Sequence, residues 1–460
     1  MMIPTESVNG DVLNNLLVCV ILLGVMLIVG VLLRLWIPVL QRYFIPAALI
    51  GGLLGLAAGP NALGLVPTSI VDTWAAIPGI LIALVFAPML MGERLPKASV
   101  AARIAAPHII YAYVSTFAIV GIPALITYFI LGPALGTHQL FSTIFEVSWP
   151  GGHGTAAGMG PAYEELGWAA GSSLAVGAAT FGLIFGIVAG MIMINIAARR
   201  GSLRMHSSGR QNTPQDSEIL PARDAESYSW GRLNKASLDN LALHFSLIGL
   251  AVLIGMLLKL GVDKIMAGVP LFPLAMIGGL IVQFVLNRTP YADLVDKKTL
   301  NSIAGIALDF LVVAAVASIS IPVIIENWIA LTVATLVVAV ISLGIFYILS
   351  PRLFREDWFE NGIINFGAMT GVVAVGLLLL RAADPDMRTD AARGYALRAP
   401  FASPFVGGGL ITALFPILAD EYGNLWLGIG CLVSCVAVLG IARLLGVWHT
   451  PGTRLANGAS

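Results

Sequence analysis

The sequence predicts an all-α polytopic membrane protein of two inverted halves, each with a re-entrant hairpin, plus an extra C-terminal helix. Three observations predict it. Of 460 residues, 58% are apolar and 11% are charged, against roughly 25% charged in a soluble domain. Mean hydropathy is +0.91, and charge-poor runs of the length that crosses a bilayer, about 20 residues, recur along the chain. Two of these runs, each the second in its half, share a word: PAALIGGL at Pro46–Leu53 and PLAMIGGL at Pro273–Leu280. A match placed in register is the mark of an internal repeat.

In the first half the expected spans are Leu16–Leu33, Tyr43–Ala58, Thr73–Gly92, Ile110–Leu131 and Ser172–Ala198. The first apolar run is charge-free from Val12 to Leu33, with no Lys or Arg before it. A cleaved leader is shorter and has a basic flank, so this run reads as a spanning helix. Residues 140–168 differ from the other runs: Pro150, a glycine-rich turn and Glu146, Glu164 and Glu165 interrupt them. Irregular backbone at membrane depth survives only where protein or a water-filled cavity covers it. The segment therefore reads as a hairpin that enters and leaves on one face, with its three carboxylates near the outer mouth.

Residues 199–239 are polar and read as a solvated linker. The second half follows with Asn240–Leu258, Pro270–Leu286, Leu300–Ile321, Trp328–Ser350 and Pro400–Ala419, and a second broken segment at 361–380 around Gly367 and Gly371. Leu425–Ala442 is an additional span. The expected organisation is an N-terminal repeat over 1–198, a linker over 199–239, an inverted repeat over 240–420, and a last helix and tail over 421–460.

Basic residues mark cytoplasmic loops. With the N-terminus outside, Arg34, Arg42, Arg94, Lys97, Arg103, Arg199, Arg200, Arg204, Arg288, Lys297, Lys298, Arg352, Arg355, Arg381, Arg388, Arg393 and Arg398 all fall inside, as do the linker and C-terminus. Only Lys259 and Lys264 fall outside. A full crossing by either broken segment would destroy that bias, so the hairpins enter from opposite faces.

Formal net charge is zero, which leaves no basic excess for nucleic acid; the partner is the lipid bilayer. Cys19, Cys431 and Cys435 lie in apolar runs with no metal-ligand spacing, which reads as small core residues. No HExxH, no GxSxG and no His/Asp cluster stands within a span, so an enzyme is disfavoured. A channel would also use re-entrant loops, but two unlike hairpins in an inverted repeat suit a secondary carrier better.

The candidate site lies at the two hairpins. Ser148–Gly158 reads SWPGGHGTAAG. Pro150 ends a helix, and Gly151, Gly152 and Gly154 permit open backbone conformations. A following helix starting near Thr155 would offer N–H groups and a positive dipole end to a carboxylate, with Ser148 and Thr155 adding hydroxyls. Upstream carbonyls suit Na⁺. His153 is open to three roles: substrate contact, titration, or a bond to backbone. The counterpart, Asn365–Ala374, reads NFGAMTGVVA; Gly367 and Gly371 break it, and Asn365 and Thr370 supply oxygens. Asp309, inside the Leu300–Ile321 span, is a functional candidate because a carboxylate there is costly; cation binding, proton carriage and a structural pair all remain open to it. Na⁺ is expected near Thr155, Asn365, Thr370 and Asp309, although Asp309 and His153 also suit protons. Arg381 and Asp384 read as a cytoplasmic ion pair.

GGHGTAA at Gly151–Ala157, followed by AATFGLIFGIVAG at Ala178–Gly190, resembles the bacterial sodium/glutamate symporter family. TGVVAVGLLLLRAADPD at Thr370–Asp386 resembles a divergent, symporter-like branch of it. The likeness of plan covers roughly residues 12–420, and the motif carry-over reaches Gly151, Gly152, His153, Gly154 and Thr155. The resemblance implies an inner-membrane carrier with two inverted five-helix repeats, an elevator-like alternating-access mechanism and Na⁺-coupled glutamate uptake. It also implies a homodimer, with no cofactor beyond the coupling ion. The second hairpin departs from the family pattern, which has a TPNAMA-like stretch where this chain has FGAMTGVVA; a different small organic anion, coupled to Na⁺ or H⁺, is the alternative.

Overall fold

The computed structural model describes residues 8–42, 45–92, 98–199, 238–265, 269–384 and 388–449. In chain order its helices are α1 (Gly10–Trp36), α2 (Pro38–Arg42), α3 (Ala47–Ala58), α4 (Thr68–Phe86), α5 (Ala98–Ile126), α6 (Gly132–Leu135), α7 (Ile144–Ser148), α8 (Gly152–Gly158), α9 (Gly160–Glu165), α10 (Ala170–Arg199), α11 (Asn240–Val262), α12 (Leu271–Leu286), α13 (Lys297–Ala317), α14 (Ile321–Glu326), α15 (Trp328–Leu353), α16 (Trp358–Ala383), α17 (Ala391–Ala402) and α18 (Leu410–Leu444). There is no strand among the described residues, and nine helices there are long and apolar enough to cross a membrane. The chain is a multi-pass membrane protein. The linker expected over 199–239 lies outside the described residues except at Arg199, Leu238 and Asp239.

Two compact units divide the described residues: Met1–Arg94, His153–Gly177 and Ser207–Asn327 in one, and Leu95–Gly152, Ala178–His206 and Trp328–Ser460 in the other.

Unit one is organised by the repeated glycine pairs. A Cβ on Gly51 of α3 would lie 2.7 Å from the Met26 carbonyl oxygen of α1, and one on Gly278 of α12 would run into the Ala251 carbonyl of α11. The first glycine of each pair thus seats its helix against the helix before it. The second glycine faces the other half. Gly52 meets Val316 of α13, and Gly279 meets the Ala87 carbonyl at the end of α4. Small residues at these crossings let backbones touch, which is how helices associate where lipid removes the hydrophobic driving force. Caps fix the ends. The Asp239 carboxylate accepts from Leu241 N at 2.8 Å, and Asp296 accepts from Thr299 N at 2.9 Å. The Lys297 ammonium donates to the Met89 carbonyl at 2.7 Å, a cation where a helix ends.

Unit two is built along α5. The broken helices α16 and α18 each fold back on themselves. In α18, Gly423 has φ 76° and ψ 165°. Ile411 packs against the cluster formed by Ala112 of α5 with Ala402 and Val406, while Cys435 Sγ donates to the Val114 carbonyl. Residues 24 apart cannot both reach that turn of α5 along a straight rise of about 1.5 Å per residue. The two spans expected over 400–419 and 425–442 are therefore the two arms of α18. The first arm begins at Leu410 rather than Pro400, because Gly407 and Gly408 take φ of 71° and 109° and interrupt the chain there.

Candidate functional site

In unit two the second broken segment is a helical hairpin. Gly371 (φ −159°, ψ 39°) and Val372 (φ 64°, ψ 174°) interrupt α16. A Cβ on Gly367 would lie 2.8 Å from Gly376 Cα. Nine residues of straight helix would separate the two by about 13 Å, so the chain reverses at Gly371–Val372. The break also frees the carbonyls just before it from the helical ladder. Thr370 Oγ1 takes up part of that freedom, donating to the Phe366 carbonyl at 2.9 Å.

The first broken segment contributes α7, the turn at Trp149–Gly151 and the start of α8. Gly152 has φ +69°, and a Cβ there would collide with Val372 Cγ1. The two chain breaks, one from each half of the sequence, therefore meet. They also share a bed on α10. A Cβ on Gly182 would lie 2.7 Å from the Thr370 carbonyl oxygen and 2.9 Å from the Trp149 ring, and Gly186 faces the Thr370 hydroxyl. The Trp149 and Phe185 rings lie 5.5 Å apart, and Phe185 reaches Phe366 at 6.0 Å. The glycine run Ala178–Gly190 is what admits both tips.

The sequence-predicted residues are distributed as follows. In unit two, Ser148 is buried and donates to the Phe145 carbonyl at 3.4 Å; Gly151 is half-buried and Gly152, Gly367, Thr370 and Gly371 are buried. Asn365 is buried and engaged on both sides of its amide: Nδ2 stands 2.7 Å from His108 Nδ1 and donates to the Asn361 carbonyl at 2.7 Å, while Oδ1 accepts from Arg398. In unit one, a Cβ on Gly154 would lie 2.8 Å from Leu308 Cδ1. This brings Gly154 against α13 at Leu308, the residue before the exposed Asp309. The helix expected to open near Thr155 begins at Gly152 instead. Thr155 is a buried interior residue of it, so its first turn is not the dipole end that the sequence suggested.

Three further departures concern charge. Glu146, expected at a solvated mouth with Glu164 and Glu165, is fully buried, whereas the other two are exposed. Its Oε1 accepts from Gly407 N at 2.7 Å, Thr412 Oγ1 at 2.9 Å and Thr116 Oγ1 at 3.5 Å; Oε2 is buried without a hydrogen-bond partner. Arg398, expected in a cytoplasmic loop, is buried at 7% exposure on α17. Asp384 bonds to Arg388 N and Thr389 rather than to Arg381, which is exposed. Glu146 and Arg398 each stand as the single charge in a short, mostly apolar stretch, IFEVSW and ALRAPFA. Among the described residues no group of three or more His, Cys, Asp or Glu is placed to hold a metal ion. The oxygens on offer are hydroxyls, amides and freed carbonyls.

The model of one family, sodium/glutamate symporter, matches residues 11–356. No curated protein matches the chain. The match takes in the first hairpin and stops before the second.

Proposed function

The chain belongs to the sodium/glutamate symporter family, and from that premise we propose that it couples glutamate entry to Na⁺ by elevator-like alternating access. The observation that carries the reading is the meeting of the two breaks, Gly152 against Val372, over the glycine bed of α10. Broken helices apposed in this way are how carriers assemble a substrate site inside the bilayer. The reciprocal contacts of Gly52 with α13 and Gly279 with α4 support an inverted repeat, since a pseudo-two-fold axis relates each such pair to the other.

In this reading Na⁺ is held by hydroxyl and carbonyl oxygens near Thr370 and Ser148, with Asn365 orienting its neighbours. Ion and substrate each raise the other's affinity by linkage. The carrier is a homodimer of the bacterial inner membrane, with its N-terminus outside and its linker and C-terminus in the cytoplasm, and it is not an enzyme. A second reading, a carrier for another small organic anion, is favoured by one observation. The family match ends at residue 356, so the second hairpin, with its FGAMTGVVA, lies beyond it.

The test is uptake of radiolabelled glutamate into proteoliposomes under an inward Na⁺ gradient, an inward H⁺ gradient, or neither. Uptake driven by Na⁺ alone is expected. Folded protein that moves no glutamate under any gradient rules out the glutamate assignment.

A further inference from the structure

Among the described residues, no carboxylate is paired with the buried cation Arg398. It lies on α17 at 7% exposure. Nη2 donates to the Tyr395 hydroxyl at 2.7 Å, Nη1 donates to Asn365 Oδ1 at 3.3 Å, and Cζ stands 4.0 Å from the Tyr395 ring centroid. Tyr395 and Arg398 are one helical turn apart and share a face. Lys259–Asp263 and Arg393–Asp390 are ion pairs elsewhere in the structure. Its protein partners are thus two neutral oxygens and a π-face, which orient a guanidinium without neutralising it. A guanidinium has five N–H donors, and two bonds leave the remainder for an anion.

The placement says which anion. Asn365 ties Arg398 to the first arm of the second hairpin, and Asn361 and His108 fix Asn365 in turn. The Phe354 ring packs on His108 at 4.7 Å, closing the other side. Gly371 is six residues further along the arm, about 9 Å by helical rise. A small molecule lying along this arm with one end at the break would have its other end directed toward Arg398. The planar fork matches a carboxylate through two parallel bonds.

We infer that Arg398, held in place by Asn365 and Tyr395, binds the second carboxylate of the substrate and restricts this carrier to small dicarboxylic acids. The inference rests on the carrier reading above and goes beyond it by naming the group that separates glutamate from its amide. A neutral side-chain amide leaves the buried guanidinium uncompensated, which is the asymmetry that gives hydrogen-bonding sites their discrimination.

The experiment uses the purified full-length protein in detergent. Protection against thermal unfolding is titrated with glutamate, glutarate and glutamine, on wild type, R398Q and R398K. Glutamate and glutarate should protect wild type and glutamine should not. R398Q should lose roughly 10- to 100-fold in glutamate affinity while keeping its ligand-free unfolding temperature, and R398K should fall between. Equal protection of wild type by glutamine, or glutamate affinity unchanged in a folded R398Q, overturns the inference. Where R398Q does not fold, R398K decides: unchanged glutamate affinity there overturns it as well. Na⁺-driven glutamate uptake that survives R398Q leaves the carrier reading standing and removes this one. Arg398-dependent binding of succinate or malate without glutamate keeps this inference and removes the glutamate assignment.

Discussion

Gly152 and Val372 are both held at positive φ, 69° and 64°, and the Val372 side chain occupies the space a Cβ on Gly152 would need. A β-branched residue in that backbone region is strained, at a cost of about 1–3 kcal/mol, and such strain persists only where surrounding structure dictates it. The contact therefore fixes both tips at once. Gly152→Ala should abolish transport, since it adds backbone strain and a collision with Val372. Val372→Gly should remove the collision and the strain at 372 but not the strain the alanine adds at 152, so the double variant should recover part of the uptake. A G152A carrier with normal uptake would show that the tips do not need this contact.

Glu146 joins α7 to the Gly407 turn and the first arm of α18. Replacing Thr412 with Val removes a hydroxyl donor to its carboxylate, and a hydrogen bond to a charged group contributes about 1.5–3 kcal/mol. The unfolding temperature of T412V in detergent should fall accordingly. Glu146→Ala should fall further, because Gly407 N and Thr412 both lose their acceptor. Unfolding temperatures equal to wild type for both variants would remove Glu146 from the forces holding this junction.

The glycine pairs of unit one give a stability contrast that needs no substrate. Gly278→Ala drives a methyl into the Ala251 carbonyl, and overpacking of this kind costs about 1–3 kcal/mol. Gly249→Ala, on the neighbouring helix α11, meets nothing within 4 Å. There the helix gains the roughly 1 kcal/mol by which Ala exceeds Gly in a helix interior. Thermal unfolding should separate the two in opposite directions. A tolerated G278A would mean that α11 and α12 can slide apart without loss.

The long apolar helices and the broken segments were legible in the sequence because both leave composition signals: apolar length for the first, and glycine and proline inside an apolar run for the second. The glycine words at Pro46–Leu53 and Pro273–Leu280 also announced a packing motif, which the structure shows as crossings against Met26 and Ala251. The side-chain chemistry was less readable. A loop glutamate and a loop arginine look solvated when read along the chain, yet Glu146 is buried by the turn at Gly407 and Arg398 by the hairpin at Asn365. Those partners lie 261 and 33 residues away, and nothing local to either charge records them. Asn365 shows the converse. It was expected to supply an oxygen near the break, and its amide is instead engaged by His108, Asn361 and Arg398.

Asp384 offers a test by pH. Burial pushes its carboxyl pKa up, but the hydroxyl and N–H of Thr389, the N–H of Arg388 and the nearby Arg388 charge together outweigh that, and the net direction is down. A folded-state pKa below the unfolded one means that the folded chain holds fewer protons over that interval. The stabilisation is then complete above the ordinary carboxyl range, near about pH 4, and is lost as the pH falls through the lower folded value. The turn that follows α16 should therefore loosen only in acid. Asp384→Asn should bring the loosening to neutral pH, because the amide accepts more weakly from Thr389. Hydrogen exchange at Arg388 N and Thr389 N, followed from pH 7 down to pH 3 in wild type and D384N, measures it. Protection in wild type that is flat across that range, or identical in D384N at pH 7, would mean the carboxylate does not hold the turn.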